Sequence, residues 1–174
     1  MGPPGAGKST TATQLSRHLR MPYRSIDVDR ERVARRFGYS STRAERLFVE
    51  GGAIAFAGYT AQFDHAVLTH WLQDRPAVID TSGGVMAMAH AIQNAIRTHD
   101  AVWVLVRPQL GGLDAWRSRL DTRPGSADWW DRGGCAVQRA TLETAATLMS
   151  EENLISTDGH TDQRLVATIR ERLQ

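Results

Sequence analysis

Cysteine is almost absent from this 174-residue sequence, in which Cys135 is the only example. A single cysteine excludes an intrachain disulfide, and we expect such a chain in the cytoplasm. Long hydrophobic runs are missing too: the longest near the middle, 101–106, is far shorter than the roughly 20 apolar residues of a membrane span. No signal peptide is apparent after Met1. These absences predict a protein without disulfides or membrane association.

A block of basic residues is also missing. Lysine and arginine number 21 against 19 acidic residues, and the arginines alternate with carboxylates, as in 29–31 and 170–172. Proteins that bind nucleic acids cluster their positive charge, so this pattern argues against a nucleic-acid partner. The six histidines show no metal-ligand spacing. No feature of the sequence specifies an oligomeric state.

A glycine-rich segment at the start of the chain carries the strongest functional signal. It matches the phosphate-loop pattern G-x-x-x-x-G-K-[ST] through Gly2-Pro3-Pro4-Gly5-Ala6-Gly7-Lys8-Ser9. Glycines permit a tight backbone whose amides face a polyphosphate, and the helix predicted from Lys8 adds its partial positive end. We expect Lys8 to reach the β- and γ-phosphates of ATP or GTP, Ser9 to hold Mg²⁺ and Thr10 to contact the phosphates. The alternative is a disordered Gly/Pro-rich start followed by a helix.

Predicted helices and strands alternate along the chain. Helices are predicted over 8–20, 30–37, 42–71 with breaks near Gly51-Gly52 and Gly58, 86–97, 139–149 and 162–173, and strands over 23–28, 77–79, 101–106 and 153–155. The alternation predicts one α/β domain over 1–174, a three-layer P-loop NTPase fold whose parallel sheet has helices on both faces. A central strand should precede the phosphate loop. Since no strand precedes Gly2, we expect that this first strand is missing and that the chain is truncated at its start.

Carboxylates follow two of the predicted strands. Asp27 and Asp29 end the first of these strands. Residues i and i+2 of a strand face the same side. We therefore expect one carboxylate to hold magnesium through water and the other to orient or deprotonate a substrate hydroxyl. The alternative is a solvated Asp27 with Asp29 as a helix cap. Asp80 ends the next strand in the manner of a Walker-B carboxylate. Gly83 and Gly84 then form a loop with few side chains, which a substrate can approach closely; the alternative is a plain strand-to-helix turn.

An arginine-rich segment with glycines is predicted to form a lid over about 107–134. Its arginines would stabilise the transferring phosphoryl group, and the alternative is a solvated loop that merely carries them. Trp129 and Trp130 are interpreted as core residues rather than a seal on the lid. The arginines are Arg117, Arg119, Arg123 and Arg132.

Several motifs together resemble the shikimate kinase family. Gly5 to Thr10 resembles its P-loop, Ile26 to Asp29 its D-x-D, Ser82 to Val85 its substrate-facing glycine loop, Leu120 to Pro124 its Arg-Pro lid segment, and Arg139 to Leu142 its R-x-P-L-Y segment, with Thr141 in place of the proline. The resemblance implies that Asp29 positions the accepting hydroxyl, Arg123 is the lid arginine, Arg117 or Arg119 lies against the nucleotide, and Arg139 binds an acidic group on the substrate.

One departure concerns the acceptor. The family carries F-R-x-x-E in its substrate-binding helix, whereas this chain has Phe63-Asp64, and we expect Asp64 to repel a carboxylate. The sequence therefore favours an ATP-dependent kinase for a small, anionic hydroxyl compound, with Mg²⁺ held by Ser9, Asp27 and Asp80. The rival interpretations are a nucleotide-binding protein or regulatory ATPase without kinase activity, and a nucleoside or nucleotide kinase.

Overall fold

The computed structural model describes residues 7–73, 76–82, 93–94, 98, 105–107, 126–148, 154–156 and 162–172. Six α-helices and four strands lie in these ranges. The helices are α1 (Lys8–Leu19), α2 (Ile26–Ala34), α3 (Ser41–Leu72), α4 (Ser126–Trp129), α5 (Cys135–Leu148) and α6 (Asp162–Arg172), and the strands are β1 (Tyr23–Ser25), β2 (Val78–Asp80), β3 (Leu105–Arg107) and β4 (Leu154–Ser156). A 3₁₀ turn, Arg35–Phe37, follows α2, and a π-helical turn, Trp130–Gly134, joins α4 to α5.

All the described strand pairs are parallel. β1 pairs with β2 in the register Tyr23↔Val78 and Ser25↔Asp80, and β3 pairs with β4. Both pairs join segments that helices separate in the chain, which confirms the predicted α/β class with parallel strands. The predicted missing first strand lies outside the described residues.

The main core lies between α2 and α3. Each helix lays an apolar stripe against the other, and α3 contributes most of the large side chains. The buried cluster consists of Ile26, Val33, Ala34, Ala44, Tyr59, Phe63, Val67, Leu68 and Trp71. Burying each large member contributes about 1.5–3 kcal/mol, so this contact rigidly attaches α2 to the longest helix of the described chain.

Helix α3 changes direction at Gly52. This glycine has φ 68° and ψ −162°, a conformation open essentially to glycine alone, and it interrupts the helix where the sequence predicts a break. No break occurs at Gly58, where the helix continues, so that part of the prediction is wrong. An isolated glycine costs a helix only about 1 kcal/mol, and packing on both sides of Gly58 exceeds this cost.

One strand and one helix have bounds that differ from the predicted ones at places that matter for the site. Strand β1 ends at Ser25 instead of Val28, and α5 begins at Cys135 instead of Arg139. Ser25 starts α2 because its hydroxyl accepts a hydrogen bond from the Val28 N–H, at the long distance of 3.5 Å. Among the described residues, no helix is long and apolar enough to cross a membrane.

Candidate nucleotide-binding and phosphoryl-transfer site

The N-terminal turn of α1 carries three of the predicted phosphate contacts. Gly7 precedes the helix in the left-handed region, with φ 82° and ψ 8°, and its carbonyl accepts the first helical hydrogen bond from the Thr11 N–H at 2.9 Å. The amides of Lys8, Ser9 and Thr10 therefore precede the helical ladder. Among the described residues, no side chain caps this end, and no acidic residue lies in its first turn. A left-handed residue before such free amides forms a concave, positively polarised surface suited to an anion.

Eight predicted site residues lie outside the described part of the chain. They include the first half of the phosphate loop, the glycine loop after β2 and three lid arginines. They are Gly2, Gly5, Ala6, Gly83, Gly84, Arg117, Arg119 and Arg123. Their assigned roles remain predictions.

Asp27 and Asp29 lie on a helix and not at the end of a strand, so the predicted strand is wrong beyond Ser25. Both belong to the first turn of α2, where negative charge complements the helix dipole. Residues two apart on a helix do not face each other, so these two carboxylates do not share a side as the strand assignment required. Asp27 pairs with Arg30 at 3.1 Å, and Asp29 pairs with Arg32 at 2.7 Å.

Asp80 is the last residue of β2 and lies opposite Ser25 in the parallel register. Its residue surface is 2% exposed, and its Oδ2 accepts a hydrogen bond from the Tyr23 hydroxyl at 3.1 Å. The other oxygen, Oδ1, is buried without a hydrogen-bond partner among the described residues, and the same holds for the hydroxyl of Thr81. Leaving such atoms unsatisfied costs about 1–3 kcal/mol each, so this strand end is suited to a ligand or a bound water.

These oxygen atoms fit a magnesium ion that arrives with a nucleotide. No three described His, Cys, Asp or Glu side chains form a group able to hold a metal by themselves. Mg²⁺ in nucleotide sites needs only one or two protein oxygens, because phosphates and waters supply the rest. Ser9 is exposed on α1, Asp80 has a buried oxygen without a partner in the described part of the chain, and Asp27 is 49% exposed with one oxygen paired. Helix α1 packs against both β1 and β2.

Asp64 forms the centre of a buried polar network in the α2–α3 core. It is fully buried, and its two carboxylate oxygens accept from Arg30 Nε at 2.6 Å and Arg30 Nη2 at 3.1 Å. Ser82, just after β2, donates a hydrogen bond to the same carboxylate. Burial is the largest influence on the pKa of Arg30 and would lower it, but the hydrogen bond and charge of Asp64 reverse this and raise the pKa.

This network corrects the predicted effect of Asp64 on a substrate. Repulsion of a carboxylate requires an uncompensated negative charge, whereas the Asp64 charge is compensated by the bidentate guanidinium of Arg30. The network also joins three elements, since Asp27 and Arg30 belong to α2, Asp64 to α3 and Ser82 to the loop after β2. Asp64 thus helps to hold together the elements that carry Asp27, Asp29 and Asp80.

The end of the predicted lid is packed against α3. Trp130 is buried, so its interpretation as a core residue is confirmed. Trp129 stacks on Phe48 with ring centroids 6.0 Å apart but is only half-buried. Arg132 donates to the Val49 carbonyl at 3.0 Å and lies over the Phe48 ring. Arg132 therefore anchors this segment. Arg139 lies exposed on α5, four residues after the helix begins.

An open cavity of about 830 Å³ lies between α1 and α6. Its lining includes Gln14, Arg17, His18, Val166, Ala167 and Arg170, none of them a predicted site residue. This cavity therefore says nothing about the predicted acceptor pocket beside Asp29, Gly83 and Arg139.

Sequence reasoning missed the functional placement of Arg30 and Tyr23. The spacing Asp27-x-x-Arg30 is compatible with a helical ion pair but was overlooked, because Asp27 was assigned to a strand. Asp64 stands out as an acid between apolar residues of α3. A buried acid of this kind requires a cation, but only the fold identifies Arg30 as the partner. The Tyr23 hydroxyl had no signal at all, because its contact depends on the strand register.

Comparison with known proteins supports the same fold. The family model for shikimate kinase matches residues 4–173. The crystal structure of shikimate kinase from Aquifex aeolicus vf5 is similar, with a TM-score of 0.66 and 20% identity over 99% of this chain and 93% of that one. No curated protein matches the chain. With a family match over nearly its whole length and the parallel α/β fold of a P-loop kinase, this chain belongs to the shikimate kinase family.

Proposed function

We propose that this protein is a kinase that transfers the γ-phosphoryl group of ATP to a hydroxyl of a small molecule. The observation that carries the proposal is the N-terminus of α1, which follows a left-handed Gly7, has no side-chain cap among the described residues and holds Lys8, Ser9 and Thr10 in its first turn. Family membership independently favours a P-loop kinase.

Each described site residue has a role in this proposal. Lys8 neutralises the phosphate tail, and the amides of Ser9 and Thr10 contact it. Ser9, Asp27 and Asp80 provide oxygen atoms for Mg²⁺, which supplies charge neutralisation of the β- and γ-phosphates when it is bound. Asp29 positions the accepting hydroxyl. Most of the rate enhancement comes from this positioning and from electrostatic stabilisation.

Residues outside the described part of the chain complete the proposal. Gly2, Gly5 and Ala6 would line the phosphates, and Arg117 or Arg119 would lie against the nucleotide. Arg123 would close over the transferring group, and Gly83 and Gly84 would face the acceptor. Arg139 is the proposed contact for an acidic group on an anionic acceptor, in keeping with its place in the family motif.

The decisive experiment measures binding before turnover. Titration with a fluorescent ATP analogue, mant-ATP, in the presence of Mg²⁺ should show saturable binding to the wild-type chain. Lys8→Ala should weaken it about 10- to 100-fold, the loss expected for one charge-assisted hydrogen bond. Arg17→Ala is the matched control, because Arg17 is an exposed cation in the last turn of the same helix. Equal affinity in the wild type and Lys8→Ala would refute the assignment of the phosphate site.

A second measurement separates a kinase from a nucleotide-binding protein without kinase activity. ADP release with Mg-ATP is followed with shikimate, gluconate, nucleosides and nucleotides as acceptors. Turnover that depends on one acceptor class and disappears in Lys8→Ala supports the kinase. ADP release that is independent of every acceptor would favour a regulatory ATPase.

A further inference from the structure

A tyrosine hydroxyl holds one oxygen of the buried carboxylate at the end of β2. Tyr23 and Asp80 lie on neighbouring parallel strands, where Tyr23 is level with Val78 and Ser25 is level with Asp80. The Tyr23 side chain spans this offset and donates to Asp80 Oδ2 at 3.1 Å. The bond therefore crosses from the start of one strand to the end of its neighbour.

The carboxylate that Tyr23 contacts is incompletely satisfied. Asp80 Oδ1 and the neighbouring Thr81 hydroxyl are both buried without a hydrogen-bond partner among the described residues, and the two residues are only 2% and 5% exposed. A buried carboxylate oxygen that lacks a hydrogen-bond partner destabilises the fold unless a ligand or a bound water supplies that partner. The free oxygen and the free hydroxyl come from consecutive residues at the carboxyl end of a strand, where α/β folds bind their ligands.

Tyr23 also connects this carboxylate to helix α1. Ser25 and Thr13 lie beside its hydroxyl, and the Thr13 hydroxyl donates to the Ser9 carbonyl at 2.8 Å. A carboxylate only accepts hydrogen bonds, so the Tyr23 hydroxyl is the donor in its bond to Asp80.

We propose that Tyr23 is a positioning residue that fixes the Asp80 carboxylate so that Oδ1 stays free to accept a hydrogen bond from water bound to the magnesium of Mg-ATP. The inference rests on the proposed function, because it assumes the nucleotide site beside α1. A carboxylate tied through Oδ2 cannot rotate freely, so Oδ1 keeps its direction before the ion arrives. Loss of a residue that hydrogen-bonds a metal-bound ligand typically costs 10- to 100-fold in metal affinity. Asp80 is that residue here, and Tyr23 acts through it.

The test is a magnesium titration of Tyr23→Phe at fixed mant-ATP, with a parallel mant-ATP titration in EDTA. We expect the Mg²⁺ concentration for half-maximal binding to rise about threefold, less than the roughly 10-fold or larger rise expected for loss of Asp80 itself. Metal-free mant-ATP affinity should stay within about twofold, since Tyr23 contacts no predicted phosphate ligand. Tyr39→Phe is the matched control: Tyr39 packs on Tyr59 and Phe63, and its hydroxyl has no part in the Asp80 contact. It should change neither value.

A double-mutant cycle ties the effect to Asp80. Asp80→Asn should itself raise the Mg²⁺ concentration for half-maximal binding. Adding Tyr23→Phe to Asp80→Asn should change this midpoint by less than about twofold. An unchanged midpoint in Tyr23→Phe, or an equal loss of metal-free mant-ATP binding, would overturn the inference. Absence of any mant-ATP binding to the wild type is a different result, which would overturn the proposed function itself.

Discussion

Replacing Asp64 by asparagine removes a buried charge with almost no change in size. The wild-type carboxylate is fully buried and accepts two hydrogen bonds from Arg30 and one from Ser82. The Arg30 side chain is only 15% exposed, so in Asp64→Asn its guanidinium stays largely buried. Its remaining described partner is Asp27, whose side chain is half-exposed.

The expected loss of stability is large. Removing one partner of a buried ion pair costs about 3–5 kcal/mol, because the other charge is left uncompensated. Since Asp27 still compensates part of the Arg30 charge, we expect a loss near the lower end, about 3 kcal/mol. A chain of this size loses about 2–4 °C in melting temperature per kcal/mol, which corresponds to a decrease of about 6–12 °C.

Urea and thermal denaturation followed by circular dichroism measure this loss directly. The matched control is Glu31→Gln, which breaks the ion pair between Glu31 of α2 and Arg35 of the following 3₁₀ turn, where the side chains are 52% and 66% exposed. An exposed pair of this kind contributes at most about 0.5 kcal/mol. The double variant Arg30→Met/Asp64→Leu should recover much of the loss, because it leaves no buried charge unpaired; the Asp27 carboxylate, which loses Arg30, is half-exposed. A free energy of unfolding of Asp64→Asn within about 0.5 kcal/mol of the wild-type value would refute the assignment of Arg30 and Asp64 as a stabilising pair.

Three further variants test the backbone and the acceptor side. Gly52→Ala should lower the free energy of unfolding by about 1–3 kcal/mol or more, because φ is 68° and a Cβ would lie too close to the Arg132 carbonyl oxygen. A melting temperature equal to that of the wild type would contradict this. Gly58→Ala, in the same helix with no atom within 4 Å of a Cβ, should raise stability by about 0.5–1 kcal/mol, and a loss in urea denaturation would count against the assigned helix. Asp29→Asn should lower kcat about 100-fold or more with an active acceptor while mant-ATP affinity stays unchanged; a selective loss of nucleotide affinity would move Asp29 to the nucleotide side.

The parts of the fold that were predicted correctly depend on local signals. Lys8 begins α1 because the glycine before it adopts the left-handed conformation that a phosphate loop requires, and the spacing of the motif already specified this turn. The position of Asp80 at the end of a strand was predicted correctly, because an apolar run that ends in an acidic residue is a local pattern. Gly52 likewise marked the break in α3 through its intrinsic conformational freedom.

The incorrect and missing parts depend on contacts between distant residues. The strand predicted over 23–28 failed because Ser25 caps a helix, and an apolar–acidic alternation is ambiguous over so few residues. The pairing of Arg30 with Asp64 joins residues 34 apart, and that of Tyr23 with Asp80 joins residues 57 apart. Neither pairing has a local periodicity, so neither is accessible before the packing of α2 on α3 and the register of β1 with β2 are known.

The change of direction at Gly52 determines how far α3 can extend. A straight helix of 32 residues would measure about 48 Å, longer than the roughly 40 Å diameter of a compact domain of this length. Division at Gly52 yields a shorter arm that meets the Trp129 segment and a longer arm that carries Asp64 against α2. A side chain at position 52 would begin in the space that the Arg132 backbone occupies. A substitution of Gly52 during evolution would therefore require the segment around Arg132 to move as well.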